Sequence, residues 1–278
     1  MSGVDSSGGH GIVSIMKYDH FLQHICPGLG LNWRKYRRKG ARRGVIVRMA
    51  ELALTSFEDY ADYIRLHPEE GERLPDIMHI TVTRFYRDRM CWEELARVLP
   101  ELVAPGRMFR VLSAGCCGGE EPYTMAIVWK ELFEERFGQV KIQAMDMDVP
   151  SLERARKAVY DKRSLRELPD AWREKWFTSS GRQLHLSREI IRMVRFTQGH
   201  LVHDPLSGPF DLILCRNVFF TYFTGDRRFR AAFKLWEALC PGGALMIGEN
   251  EGLSPRELEI FKPWPTKRCF FRKAKCEG

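Results

Sequence analysis

The sequence has no run approaching the roughly eighteen apolar residues of a membrane-spanning helix. Its start, MSGVDSSGGHG, lacks the charged and then apolar regions of a secretory leader. Both absences point to a cytoplasmic protein that does not insert into a membrane. None of the eight cysteines (Cys26, Cys91, Cys116, Cys117, Cys215, Cys240, Cys269, Cys276) falls in a C-x-x-C pair. The adjacent Cys116 and Cys117 are poorly placed to bond each other, so reduced thiols are expected. His200, His203 and Asp204 stand close together, but no second cluster at ligand spacing accompanies them, and no metal is predicted. Internal repeats are absent. No acidic residue interrupts Arg34, Lys35, Arg37, Arg38, Lys39, Arg42 and Arg43 in a chain of net charge +8. That stretch should attract an anionic partner, and charge alone does not say whether nucleic acid, a membrane surface or an acidic protein helix.

With 44% hydrophobic residues the 278-residue chain can fold into a helical domain followed by a larger one. Residues 1–16 are rich in Gly and Ser and are predicted to be disordered. From 17 to 104 the apolar residues recur at three and four, as in Phe21, Leu22, Ile25 and Ile46, Val47, Ala50, Leu54, which predicts a small all-helical domain. Ser56 and Asp59 form a capping-box pattern at the start of FEDYADYIRL. Gly40 and Gly44 weaken a helix in the basic stretch and leave a loop open there.

Past the breaker Pro105-Gly106 the rhythm changes. FRVLSAG, a helix PYTMAIVWKELFEERF, VKIQAMDMD and a helix from Ser151 to Val159 read as a β-α-β-α unit. FDLILCRNV, a helix RRFRAAFKLWEAL, the turn Cys240–Gly243, ALMIGEN and a closing antiparallel RCFFRKA continue it. The prediction is an α/β fold over 105–278, a Rossmann-like sheet with a small inserted β-subdomain at about 165–198, where LHLSREIIRMVRF suggests a hairpin or small sheet.

The turn Ser113–Glu121 lies between a strand and a helix, where small residues let a ligand approach the backbone. It reads G-C-C-G-G-E-E rather than G-x-G-x-x-G, and two carboxylates at a helix start would repel a pyrophosphate. A cationic amino group would be welcome there. The next strand ends in Asp146-Met147-Asp148, where a carboxylate can accept from both hydroxyls of a ribose. Adenosine carrying an amino-acid tail fits both ends, which describes S-adenosylmethionine.

At this point the chain resembles the CheR family, the chemotaxis-receptor glutamate O-methyltransferases. The landmarks run in order over about residues 17–272: a basic helical N-terminal domain, T-V-T-R-F-Y-R-D (Thr81–Asp88), S-A-G-C-C-G-G-E-E-P-Y-T (Ser113–Thr124), A-M-D-M-D (Ala144–Asp148) and F-D-L-I-L-C-R-N-V (Phe210–Val218). The resemblance implies that Thr81, Thr83 and Arg87 touch cofactor or catalytic groups. It places Ala114 and one of Glu120 or Glu121 on the methionine part, and Asp146 on the ribose. His200 and Leu201 would lie near the adenine, Arg216 and Asn217 on the pocket floor, and Tyr222 opposite the reacting methyl, with Arg87 and Tyr222 as catalytic groups. The partner implied is an acidic helical segment of a receptor's cytoplasmic region. Departures cluster on the acceptor side: His200 replaces an Asn, F-F-T-Y-F (Phe219–Phe223) carries one extra residue before its tyrosine, and G-E-N-E-G-L-S (Gly248–Ser254) replaces G-H-S-E.

Rival readings are a nucleic-acid methyltransferase, a small-molecule carboxyl methyltransferase and a cofactor-binding regulator without turnover. The first lacks its signatures. Amino-directed base methylation uses N/D-P-P-Y/F where this chain has Cys215-Arg216-Asn217-Val218, and carbon-5 chemistry wants Pro-Cys where the order is Cys240-Pro241. A glutamate acceptor needs no catalytic base, because a carboxylate with a pKa near about 4.3 is already ionised at neutral pH.

Overall fold

A computed structural model describes residues 16–104, 106–133, 140–265 and 268–273. Residues 1–15, where disorder is predicted, lie outside the described residues, as does Pro105. The chain divides into two compact units, Met1–Ile80 and Thr81–Gly278.

The first unit is helical: α1 (Tyr18–Ile25), α2 (Lys39–Glu51), α3 (Phe57–Leu66) and α4 (Pro68–Ile77), with 3-10 turns at Pro27–Leu29 and Trp33–Tyr36. The three-four spacing buries Phe21, Leu22, Tyr60 and Leu74 completely. Ser56 caps α3, its hydroxyl accepting from the Asp59 N–H at 3.1 Å. Arg34 and Lys35 lie on the second 3-10 turn and Lys39, Arg42 and Arg43 on α2, with Arg37 and Arg38 between them, so the helix forms despite its glycines. Packing explains Gly44, since a Cβ there would come within 2.0 Å of the Ile77 carbonyl oxygen and push α2 off α4.

The second unit opens with an irregular stretch and α5 (Arg89–Leu102), then β1 (Phe109–Ala114), α6 (Glu120–Leu132), β2 (Val140–Asp146) and α7 (Val149–Lys157). A smaller layer follows: β3 (Val159–Asp161), α8 (Asp170–Trp176), β4 (Phe177–Ser180), β5 (Gln183–Leu186) and α9 (Arg188–Ile191). The chain then runs through β6 (Val194–Gln198), β7 (Phe210–Leu214), α10 (Phe219–Tyr222), α11 (Gly225–Ala238), β8 (Leu239–Met246), α12 (Glu257–Ile260), β9 (Phe261–Pro263) and β10 (Phe270–Lys273). The main sheet has the order β6-β2-β1-β7-β8-β10-β9, with β6, β2, β1, β7 and β8 mutually parallel, β10 antiparallel to β8, and β9 antiparallel to β10 at the edge. This is the expected Rossmann-like α/β class. From β1 the chain proceeds outward to β2 and later returns to β7 on the other side, so the loops after β1, β2 and β7 meet at the switch point.

Three readings of the sequence need correction. The unit boundary falls before α5 rather than at Pro105-Gly106. Trp92, Leu95 and Leu99 of α5 share one core with Val111, Met125, Ile142 and Leu212. At about 1.5–3 kcal/mol per large apolar side chain removed from water, that face outweighs a local chain breaker. The small sheet is β3-β5-β4, while Val194–Gln198 joins the main sheet beside β2, so the segment 183–198 is split by α9 between two sheets. Finally, Cys91 and Cys269 are disulfide-bonded with Cα atoms 5.7 Å apart across 178 residues of sequence. No local spacing could signal such a pair, which arises because α5 packs beside the C-terminal strands. The Glu94 carboxylate makes the same connection, accepting from the N–H groups of Arg268 and Cys269 at 3.1 and 3.3 Å. Among the described residues no helix is long and apolar enough to cross a membrane.

Candidate active site

Ala114 ends β1 fully buried, and the turn that follows is built by conformations few side chains tolerate. Gly115 has φ +80° and a Cβ on it would lie 2.7 Å from Val218 Cγ2 and 3.5 Å from Leu201 Cδ1. The close approach joins the turn to the loops after β6 and β7. Asp146, at the end of β2, is 2% exposed. Its two oxygens accept from the N–H groups of Cys117 at 2.8 Å and Asp148 at 2.9 Å. The carboxylate thus ties the turn after β1 to the start of the segment after β2.

The two glutamates at the start of α6 face different surroundings. Glu121 accepts from Ser113 Oγ at 2.7 Å and from Arg216 Nη1 at 3.4 Å. Glu120 turns toward α7, where Arg154 is its nearest cation, and its Oε2 is buried without a hydrogen-bond partner. Burial raises the pKa of both; Arg216, Ser113 and Arg87 offset part of the rise at Glu121. Cys116, Cys117 and Cys215 are pushed up by burial as well, so they are thiols at neutral pH rather than nucleophilic thiolates.

Arg216 is the hub of a buried polar cluster. Besides Glu121 it donates to Asp88 Oδ2 at 3.0 Å and to the Arg87 carbonyl, and its guanidinium lies 5.1 Å from the Trp92 ring centre. Trp92 Nε1 in turn donates to the Arg87 carbonyl at 2.9 Å. Asp88 is partly desolvated, which raises its pKa, but Arg216 and Arg87 outweigh this and hold it below the ordinary carboxylate range. Arg87 donates through Nη1 to the Val82 carbonyl at 3.2 Å and through Nη2 to Asn217 Oδ1 at 3.0 Å. Its side chain is 28% exposed against 3% for Arg216. Arg87 is therefore the more accessible of the two guanidiniums.

The structure thus brings together Arg87, Glu121, Arg216 and Asn217, with Ala114, Asp146 and Leu201 at the adjoining turn. Thr81 and Thr83 are half-buried on either side of Val82, which ties them to Arg87. Tyr222 enters through its neighbour Thr221 on α10. The His200 ring is committed to its own loop, Nδ1 accepting from the N–H groups of Val202 and His203 at 3.2 Å. Among the described residues no group of three or more His, Cys, Asp or Glu could hold a metal ion.

Sequence reasoning missed Glu251. Its Oε2 accepts from the N–H groups of Asn217 at 2.9 Å and Gly248 at 2.7 Å, and its Oε1 from Thr221 Oγ1 at 2.5 Å. The available signal was an acidic residue three positions after a glycine that lies two residues beyond the parallel strand β8. Asp88 was quoted within its motif without a role.

The geometry suits a ligand with hydroxyls at one end and an amino-acid tail at the other. Asp146 and Glu121 present carboxylates at its two ends, and at the α6 N-terminus Arg154 lies close to Gly118 and Glu120. Comparison with known proteins agrees. The family described as CheR methyltransferase, SAM binding domain, matches residues 81–270. The chemotaxis protein methyltransferase of Listeria monocytogenes is 30% identical over 236 residues, covering 84% of this chain and 89% of that protein. Chemotaxis protein methyltransferase 2 of Vibrio cholerae is 27% identical, covering 87% and 88%. Among solved structures, the N-methyltransferase NodS from Bradyrhizobium japonicum with S-adenosyl-L-homocysteine is 14% identical, with a TM-score of 0.40 over 68% of this chain and 91% of that one.

Proposed function

Because the chain belongs to the CheR methyltransferase family, we propose that its acceptor is a glutamate side chain on the cytoplasmic region of a chemotaxis-type receptor, converted to a methyl ester. It is an S-adenosylmethionine-dependent methyltransferase, and that cofactor, when bound, supplies an electrophilic methyl group on a sulfonium. In this reading Asp146 accepts from the ribose hydroxyls and Glu121 holds the amino-acid tail. Thr81, Thr83, Leu201 and Asn217 complete the pocket wall.

The observation that carries the acceptor assignment is Arg87. Its Nε is buried facing Asp88 at 3.8 Å, and Nη1 and Nη2 give one N–H each to Val82 and Asn217, so each terminal nitrogen keeps one donor for an ionised carboxylate. The described residues around it are buried thiols and the carboxylates of Asp88 and Glu121, each facing Arg216. A glutamate acceptor needs no catalytic base, since it arrives ionised and leaves as an ester without proton transfer. What the residues must do is hold that carboxylate in line and exclude water, which is the work of Arg87, Tyr222 and the buried Arg216–Glu121 floor. The helical unit would supply capture. Arg38, Lys39, Arg42 and Arg43 are all exposed and continue on α2 into exposed Ile46 and Val47, a basic and apolar face suited to an acidic amphipathic helix.

The test is transfer of labelled methyl into receptor cytoplasmic fragments, followed by mild base. Release of the label as methanol is expected of an ester. Label that resists base would place the methyl on nitrogen or a ring and end this reading.

A further inference from the structure

Glu251 gathers three donors from two chain segments onto one carboxylate: the Asn217 and Gly248 N–H groups on Oε2 and the Thr221 hydroxyl on Oε1. Each donor belongs to something the acceptor side needs. Asn217 sits in the left-handed region at φ 56°, a conformation that costs an ordinary residue about 1–2 kcal/mol and that Asn tolerates best. There its side chain accepts from Arg87 Nη2 at 3.0 Å and donates to Asp88 at 3.4 Å. Thr221 lies on α10 next to Tyr222. Gly248 allows the turn to rest on Asn217, because a Cβ there would fall 2.9 Å from both Asn217 Nδ2 and Glu251 Oε2. Without the carboxylate, two N–H groups and a hydroxyl at partly buried positions lose their acceptor together.

We infer that Glu251 is a positioning residue, a clasp that fixes Asn217 and α10 so that Arg87 and Tyr222 stand in register for the acceptor. The inference rests on the reading of Arg87 and Tyr222 as acceptor-side groups. All three hydrogen bonds of Glu251 are spent within the chain. It acts through Asn217 on the Arg87 guanidinium and through Thr221 on the backbone that carries Tyr222.

Glutamine is the informative replacement. Its Oε1 can accept both N–H groups, while its amide donates to a Thr221 hydroxyl that has rotated to accept. Glu251→Ala and Glu251→Gln are compared with the full-length wild type in two ways: hydrogen exchange of residues 217–222 with S-adenosylhomocysteine bound, and kcat and KM for methyl transfer to a receptor cytoplasmic fragment. The alanine variant should exchange faster over 217–222 and lose about 10- to 100-fold in kcat, with KM for S-adenosylmethionine moving less than about threefold. The glutamine variant should recover most of both. Added to Arg87→Ala, Glu251→Ala should slow turnover by clearly less than it does alone, because the share that acts through the guanidinium is already lost and only the Thr221 route remains. Glutamine as damaging as alanine, unchanged exchange, or multiplicative losses with Arg87→Ala would each overturn the inference. If the wild type transfers no methyl to the fragment, the acceptor assignment fails alone and the exchange comparison still decides the clasp. Should the alanine variant not fold, Thr221→Val, which removes one hydrogen bond of the clasp, takes its place with the same expected direction.

Discussion

Glu70 in the helical unit and Glu121 in the sheet unit are 2% and 8% exposed, yet their surroundings push them in opposite directions. Glu70 takes both arms of Arg48, Nε and Nη2 at 2.8 Å each, and the Tyr60 hydroxyl at 2.8 Å. The Arg48 hydrogen bonds outweigh burial and hold its pKa below the ordinary range. Glu121 has one hydroxyl and one distant arginine nitrogen, and burial wins, raising its pKa. The first carboxylate is finished by the fold. The second is left with capacity that the fold does not use, as expected of a group reserved for a cationic ligand.

The largest expected effect is on the finished side. Glu70→Ala leaves Arg48 with only the exposed Glu51, at 3.0 Å, and Tyr60 without its acceptor, which should destabilise the helical unit by about 1–3 kcal/mol, the usual cost of stranding a buried hydrogen-bonding group. Urea unfolding followed by hydrogen exchange in α3 and α4 checks it. A loss below about 1 kcal/mol would mean that Glu70 is no more anchored than Glu121.

Asp146→Ala should weaken S-adenosylhomocysteine binding by about 10- to 100-fold, from lost charge-assisted bonds of about 1.5–3 kcal/mol. Calorimetry on the folded variant measures this directly, and unchanged affinity would remove Asp146 from the site. Because Asp146 also anchors the Cys117 and Asp148 N–H groups, Asp146→Asn separates the two roles: it keeps an acceptor for one of them while losing the charge.

Glu121→Gln turns the opening comparison into a pH experiment. A lowered folded-state pKa, as at Glu70, contributes stability that is present above the ordinary carboxylate pKa and lost as pH falls through the lowered one. A raised one, as at Glu121, reverses the sign: nothing is lost while both states are protonated, and stability declines as pH climbs through the ordinary value toward the raised one. The Gln variant should therefore be within about 1 kcal/mol of the wild type at pH 5 and no less stable at pH 8, while binding S-adenosylhomocysteine more weakly. Urea titrations at the two pH values decide. A variant markedly less stable at pH 8 would show that Glu121 is a structural anchor like Glu70.

The difference between the two carboxylates also marks what the sequence can express. Contiguous motifs were legible: the turn Ser113–Glu121, Asp146 at a strand end and Arg216-Asn217 after β7 converge because the parallel sheet brings those loops to one edge. The capping pair Ser56 and Asp59 and the closing strand β10 were legible for the same reason, since each is encoded within a few residues. What escaped depends on pairs distant in sequence. Cys91 meets Cys269, Glu94 meets the same segment, and Glu251 meets Asn217 and Thr221, each encoded only by the packed structure. Gly44 shows the converse, a residue unfavourable to the helix locally but required by the neighbouring helix.

The smallest expected effect belongs to the surface of the helical unit, where charge is neither finished by the fold nor buried. Arg37 is partly spoken for by Asp19 at 2.6 Å, whereas Arg38, Lys39, Arg42 and Arg43, at and on α2, are all exposed. Replacing Arg38, Arg42 and Arg43 with Gln leaves the buried Ala41, Val45 and Met49 face of α2 untouched, so stability should hold within about 0.5 kcal/mol. If these cations capture an acidic receptor helix, their contribution lies in encounter rather than in chemistry, and kcat/KM should fall by about threefold to tenfold at low salt with kcat unchanged. Screening confines exposed charges to about 8 Å near physiological ionic strength, so wild type and variant should converge as salt rises. Steady-state kinetics with a receptor fragment across a salt series tests this, with S-adenosylhomocysteine affinity as the control that must not move. A variant equal to wild type at low salt, or one that loses RNA binding while methylating the fragment normally, would return the stretch to a solvated face or to a nucleic-acid site. Either result would leave acceptor recognition to the unit that holds Arg87.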